Sequence, residues 1–103
     1  MANRGSSSVG LVDASISSLS GSSELLIAEN NTRTGLLIQN VGSASVGIAF
    51  AALGSTATAT IGSAGTYTLV AGAFYEPDGG FIPSNAIYVI GTAAQPVTAS
   101  WSA

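Results

Sequence analysis

Hydrophobic and polar residues alternate most regularly in residues 32–51, TRTGLLIQNVGSASVGIAFA. Side chains two positions apart share one face of a β-strand, so this spacing predicts two half-buried strands, residues 33–41 and 46–51. Their shared hydrophobic face is formed by Leu36, Ile38, Val46, Ile48 and Phe50. The polar, Gly-containing residues 42–44 have the composition of a tight turn. We therefore expect an antiparallel hairpin at the centre of the fold.

Five further strand-like segments are separated by Gly-rich turns: residues 24–29, 56–61, 66–71, 86–90 and 97–102. No segment has the spacing and capping residues of a convincing helix. Seven or eight short strands with such turns are typical of antiparallel sandwiches and small barrels. The predicted fold class is all-β, a small jelly-roll-like antiparallel sandwich. Its predicted core consists of Leu36, Ile38, Val46, Ile48, Phe50, Leu69, Ile87, Val89 and Trp101.

The first 22 residues differ from the rest because their hydrophobic side chains are spread through Ser and Gly. These side chains are Val9, Leu11, Val12, Ile16 and Leu19. They are too sparse for a core of their own and too regular for a purely solvated tail. We expect residues 1–22 to form an extended arm that docks by strand addition on a neighbouring subunit or on the shell of a larger assembly, and residues 23–103 to form the sandwich domain. The alternative is that residues 11–19 are the first strand of the same sandwich.

Charged residues make up only 7% of the chain, against roughly 25% in an ordinary globular domain. The net charge of −3 leaves no basic patch, so we expect no binding to nucleic acid and none to an anionic membrane surface. The first twenty residues lack the apolar block of a signal peptide, and no apolar run approaches the ~20 residues that span a bilayer. Synthesis in a cytoplasm is therefore the expectation. A surface of small uncharged residues favours a protein that packs against other subunits.

Two stretches carry only small side chains on one face, Gly47/Ala49/Ala51 and Thr56/Thr58/Thr60. Small residues in a strand permit a second backbone to approach closely. We expect these faces to pack against another sheet or another subunit, and the chain to associate with copies of itself.

The sequence contains no His, Cys or Lys. It cannot build a Ser–His–Asp triad or a zinc site of nitrogen and sulfur ligands. The close carboxylates Glu76 and Asp78 are expected to be the charged tip of a turn over residues 77–80. A glycosidase pair, or a calcium site shared with Asn85, is the alternative, but the ligand spacing of an EF-hand loop is absent. We expect no enzymatic activity, no cofactor and no metal.

Aromatic residues stand on both sides of this acidic turn. Tyr75, Glu76, Asp78 and Phe81 form a predicted exposed interaction loop. The alternative is that the two aromatic side chains pin the loop to the edge of the sandwich. Elsewhere, Glu29 and Arg33 lie on either side of a predicted turn, and we expect a surface ion pair between them.

Residues 31–40, NTRTGLLIQN, residues 46–50, VGIAF, and residues 83–88, PSNAIY, resemble segments of small virion proteins of tailed bacteriophages. The similarity extends over roughly residues 30–103 and implies a capsid decoration (cement) protein or a head-fibre component. Such a protein binds the outside of the head and stabilises it. The resemblance implies the major capsid protein as a partner, self-association as a homotrimer, and a location on the virion surface. The alternative is a tail, fibre or baseplate module that binds a host-surface glycan.

Overall fold

The computed structural model describes residues 10–77 and 82–103, and this part of the chain forms eight short β-strands. No helix within it is long and apolar enough to cross a lipid bilayer. The strands are β1 (Val12–Asp13), β2 (Glu24–Ile27), β3 (Gly35–Gln39), β4 (Val46–Phe50), β5 (Thr66–Leu69), β6 (Phe74–Tyr75), β7 (Ile87–Gly91) and β8 (Thr98–Ser102). The all-β prediction is confirmed.

The strands form two four-stranded antiparallel sheets. The order is β1-β8-β3-β6 in the first sheet and β2-β7-β4-β5 in the second. Strands from opposite ends of the chain are neighbours, and the chain passes repeatedly from one sheet to the other, which is the arrangement of a jelly roll. Strands β1 and β6 are the edges of the first sheet, and β2 and β5 are the edges of the second.

The core lies between the two sheets. The predicted core residues are buried there, except that Phe50 and Trp101 are partly buried and pack against the others. Five residues of the core were not in the predicted list: Leu19, Leu26, Ile27, Val97 and Ala99. Burial of these branched apolar side chains is the main source of stability for a sandwich of this size.

The predicted central hairpin is wrong, because β3 and β4 belong to different sheets. Asn40, which is fully buried, holds the corner between them. Its Nδ2 donates hydrogen bonds to the carbonyl oxygens of Ala44 (2.8 Å) and Leu69 (2.9 Å), and its Oδ1 accepts one from the Gly42 N–H (3.0 Å). A turn composition shows that the chain bends, but not whether the next strand pairs with the previous one.

The predicted strand over residues 56–61 is also absent; these residues belong to the long link between β4 and β5. The link runs past both ends of β2. Its Gly54 N–H donates to Glu29 Oε1 (2.7 Å), and its Ala59 N–H donates to Ser23 Oγ (2.8 Å). Thr and Ala side chains do alternate between exposed and less exposed positions here. The backbone N–H groups of Gly54 and Ala59, however, donate hydrogen bonds to side chains and not to a neighbouring strand.

The small-residue face of β4 is covered by the chain's own link. A Cβ placed on Gly47 would lie 3.0 Å from Ile61 Cγ1 and 2.7 Å from Thr66 Cγ2. Ala49 and Ala51, on the same face, are buried, and so is Ala59 in the link. The close approach expected from these small residues is therefore present within one chain.

Residues 12–19 lie in the sandwich. This agrees with the alternative prediction, a first strand of the sandwich, and not with the predicted extended arm. Strand β1 pairs with β8, and Ile16 forms a bridge with Val97. Leu19 is 2% exposed, and a Cβ on Gly91 would lie only 2.7 Å from its Cδ1, so the missing side chain of Gly91 makes room for it. A few hydrophobic residues are enough to hold this segment in the sandwich, because they pack on a core that the other strands form.

Candidate functional site

The sandwich opens along the side where β5 and β6 lie. β5 is the last strand of the second sheet and β6 the last strand of the first, so neither has a further strand beyond it in the described chain. A groove of about 730 Å³ lies between them. This volume is within the range of ~300–1,000 Å³ that is usual for ligand pockets.

The groove reaches the hydrophobic core. Ile48 and Leu69, both buried, contribute to its lining together with Phe50. Tyr67 on β5 and Tyr75 on β6 line the two sides. Because the register pairs Tyr67 with Ile48 and Tyr75 with Ile38, both tyrosines point to the core side of their sheets. Tyr67 is nevertheless 65% exposed, since no strand follows β5 to cover it.

Aromatic contacts fix the shape of this groove. The Phe50 ring meets Tyr67 at a centroid distance of 6.1 Å and Tyr75 at 5.7 Å, both edge to face. Such pairs are favourable beyond the area they bury. Burial raises the pKa of the Tyr75 hydroxyl, and the nearby Tyr67 raises it further. Tyr75 is therefore uncharged at neutral pH and adds no charge to the groove.

Arg33 holds the residues at one end of the groove. Its Nη1 donates to the carbonyl oxygens of Pro83 (2.6 Å) and Asn85 (3.2 Å), and both of these residues line the groove. Its Nη2 donates to the carbonyl oxygen of Ala28 at 2.7 Å. Arg33 is 6% exposed, and burial lowers the pKa of its guanidinium from its usual value.

The predicted ion pair between Glu29 and Arg33 is therefore wrong. The Glu29 carboxylate is exposed and accepts the Gly54 N–H, whereas the Arg33 guanidinium turns inward to backbone carbonyls. An arginine offers five donors in a planar fork, so it can join several chain segments at once.

The lining residues are apolar, aromatic or uncharged polar. The described residues contain no group of three or more His, Cys, Asp or Glu side chains that could hold a metal ion. A partner for this groove must therefore be recognised through shape, apolar contact and the backbone groups of two edge strands.

Only part of this site was predicted from the sequence. Of the predicted interaction loop, Tyr75 lines the groove and Glu76 is exposed next to it, while Asp78 and Phe81 lie outside the described residues. Tyr67 and Phe74 are both largely exposed at the groove and were not predicted as site residues. Tyr67 lies on the same face of β5 as the buried Leu69, and it is exposed because β5 is an edge strand.

Two of the predicted arm residues, Leu11 and Val12, lie at the β1 edge of the first sheet, at the opposite side from the groove. Leu11 is 76% exposed directly before β1, and Val12 is also exposed. Ile16 and Leu19 pack in the chain's own core, and Val9 lies outside the described residues. Because Ile16 and Leu19 pack in the core, the prediction that the arm docks on a neighbour now applies only to the residues up to Val12.

No family model matches this chain, and a search of curated proteins gives no match. Among solved structures, the fold is similar to that of a protein from Bacillus endospore appendages, described as a novel family of disulfide-linked pili. That similarity has a TM-score of 0.52 and covers 99% of this chain and 92% of the other, with 17% sequence identity. At this identity it bears on the fold alone.

Proposed function

We propose that this chain is a non-enzymatic structural subunit of a bacteriophage virion, most specifically a decoration (cement) protein. It binds the outside of the head and stabilises the shell through contacts with the major capsid protein and with copies of itself as a homotrimer. The observation that carries the proposal is the uncharged aromatic groove that opens at an incompletely covered edge of the sandwich. Exposed apolar surface of this kind, on a chain with so few charges, favours burial against another protein.

Two of the three segments that resemble phage virion proteins, first residues 31–40 and second residues 83–88, are in direct contact in this fold. Arg33 and Asn40, from the first segment, are the buried polar residues of the described chain. Arg33 donates to the carbonyl oxygens of Pro83 and Asn85, which belong to the second segment. The pattern shared with the virion proteins therefore contains the polar residues that this fold needs, and this supports a common fold for them.

A subunit of a surface filament is a second candidate, favoured by the similarity in fold to the endospore appendage protein. That protein is described as disulfide-linked, whereas this chain contains no Cys. Any filament built from this chain would have to be held by non-covalent contacts.

Fractionation of particles tests the proposal. Heads, tails and cell-surface filaments should be purified separately from the phage or cell that encodes the chain, and each analysed by quantitative mass spectrometry. We expect the chain in the heads, in a constant ratio to the major capsid protein. Recovery with tails would favour the glycan-binding module, and recovery with filaments the second candidate; either result would overturn the decoration role.

A further inference from the structure

We infer that the groove between β5 and β6 receives the N-terminal segment of a second copy of this chain, residues 5–11, as an added strand. The inference rests on the proposed role as a self-associating subunit and names the contact that would join the copies. Its first basis is the groove itself, which reaches core residues Ile48 and Leu69 and has an edge strand on either side. An extended segment can bond to such edges through its backbone and fill the space between with alternate side chains.

The second basis is the chemistry of the segment. Residues 5–11, GSSSVGL, contain no charge, and the residues that line the groove contain none either. In an extended conformation Val9 and Leu11 fall on the same face, so both can enter the groove together. Leu11 is 76% exposed in the single chain, and a Cβ on the preceding Gly10 would contact nothing within 4 Å. This surface has no cover from its own sandwich.

The third basis is position. The segment leaves the sandwich next to β1, whereas the groove lies next to β6, at the other end of the same sheet. In its own copy the segment would have to cross the whole four-stranded sheet to reach the groove. In a copy placed side by side it meets the groove directly, and seven extended residues span about 23 Å, longer than either edge strand.

Such a contact is heterologous, because each copy gives a segment and receives another. Heterologous contacts close into rings when the rotation between copies permits, and otherwise continue as filaments. A closed ring of three is the homotrimer proposed above, so one contact accounts for self-association without any charged or covalent link.

Two single substitutions test the inference with the full-length chain. Leu11→Asp damages the segment and leaves the groove intact, and Tyr67→Asp damages the groove and leaves the segment intact. Both positions are largely exposed, so each variant should still unfold in one cooperative thermal transition, which for Tyr67→Asp is shifted to a lower temperature by the lost contact with Phe50. The matched control is Leu53→Asp, since Leu53 is 64% exposed, close to the 65% of Tyr67, but lies in the link.

Light scattering over a concentration series measures the association. We expect the wild type and Leu53→Asp to form the same oligomer. Leu11→Asp and Tyr67→Asp should each raise the dissociation constant of the oligomer at least tenfold. An equimolar mixture of Leu11→Asp and Tyr67→Asp should form dimers and stop there, because only one intact segment and one intact groove can meet. If Tyr67→Asp fails to fold, Phe74→Asp, also at an exposed groove position, replaces it.

The inference is overturned if the wild type stays monomeric up to several hundred micromolar, if Leu11→Asp assembles like the wild type, or if the mixture stays monomeric. It is also overturned if Tyr67→Asp assembles normally but loses binding to a glycan array, which would assign the groove to a sugar. None of these results affects the particle fractionation, so this contact and the virion role can fail independently.

Discussion

The guanidinium of Arg33 donates a 2.6 Å hydrogen bond to the carbonyl oxygen of Pro83, 50 residues further along the chain. With its bonds to Asn85 and Ala28, Arg33 ties the end of the groove to the segment that follows β2. Backbone carbonyls in such loops have no strand partner, and buried polar groups without partners are costly. One buried arginine therefore replaces the strand pairing that these loops lack.

Arg33→Ala should lower the free energy of unfolding by about 2–4 kcal/mol, because it leaves partly buried carbonyls without donors. Arg33→Lys should recover only part of this loss, since an ammonium cannot reproduce the planar fork. Urea unfolding followed by tryptophan fluorescence measures both. Glu29→Gln is the control and should change little; equal losses at Glu29 and Arg33 would restore the ion-pair interpretation.

The sequence predicted what depends on local alternation and missed what depends on long-range pairing. The inward faces of β3 and β4 followed from a period of two, because a sandwich buries one face of such strands. The crossing at Asn40 and the inward turn of Arg33 could not be predicted, because both depend on distant residues, 29 positions away for Asn40 and up to 52 for Arg33. The same holds for Tyr67, whose exposure depends on β5 being an edge strand.

Asn40→Asp should be severely destabilising at neutral pH. The side chain now donates to two carbonyl oxygens, and a carboxylate there would face both of them without a proton to share. An uncompensated buried charge costs about 3–5 kcal/mol. Because this site favours the protonated acid, the pKa of the carboxyl is raised in the folded state, and stability should increase as the pH falls towards about 4.

Asn30→Asp is the matched control for this change. The Asn30 Oδ1 accepts hydrogen bonds from the N–H and hydroxyl of Thr32, and a carboxylate oxygen can accept the same bonds. Chemical unfolding at pH 7 and pH 4.5 compares the two variants. A similar small effect at both positions would show that Asn40 does not hold the corner through its donors.

Gly47→Ala should destabilise the protein by about 1–3 kcal/mol, because the added methyl meets Thr66 and Ile61 where the link and β5 lie against β4. Thr66→Ser removes the nearer carbon and keeps the oxygen that accepts the Thr60 N–H, so the double variant should recover part of the loss. Gly10→Ala, at an open position, is the control. Full stability of Gly47→Ala would mean that the link does not cover this face.

Tyr75→Phe should reduce the loss of stability at alkaline pH. The pKa of Tyr75 is raised in the folded protein, so its contribution is present below the unfolded value of about 10 and is lost as the pH rises through the folded value. The variant keeps the ring that packs on Phe50 and removes the ionisable hydroxyl. Urea midpoints between pH 8 and pH 11 measure the effect, and parallel curves for both proteins would contradict it.

Two deletions separate the N-terminal residues that build the sandwich from those proposed to join copies. Removing residues 1–9 leaves β1 and Leu19 in place, so the free energy of unfolding should stay within about 0.5 kcal/mol of the wild type. Self-association should be lost, because Val9 and the strand around it are gone. Thermal unfolding by circular dichroism and light scattering measure the two effects on the same sample.

Removing residues 1–20 should instead prevent stable folding. It takes away β1, the Ile16–Val97 bridge and the buried Leu19, and loss of a buried leucine side chain alone costs about 2–5 kcal/mol. In the wild type β8 lies between β1 and β3, and the deletion would make it an exposed edge strand. A cooperative unfolding transition like that of the wild type would mean that residues 12–19 are not a structural part of the sandwich. They would then belong to the arm after all, and the boundary between folding and docking residues would move from Val12 to the start of β2.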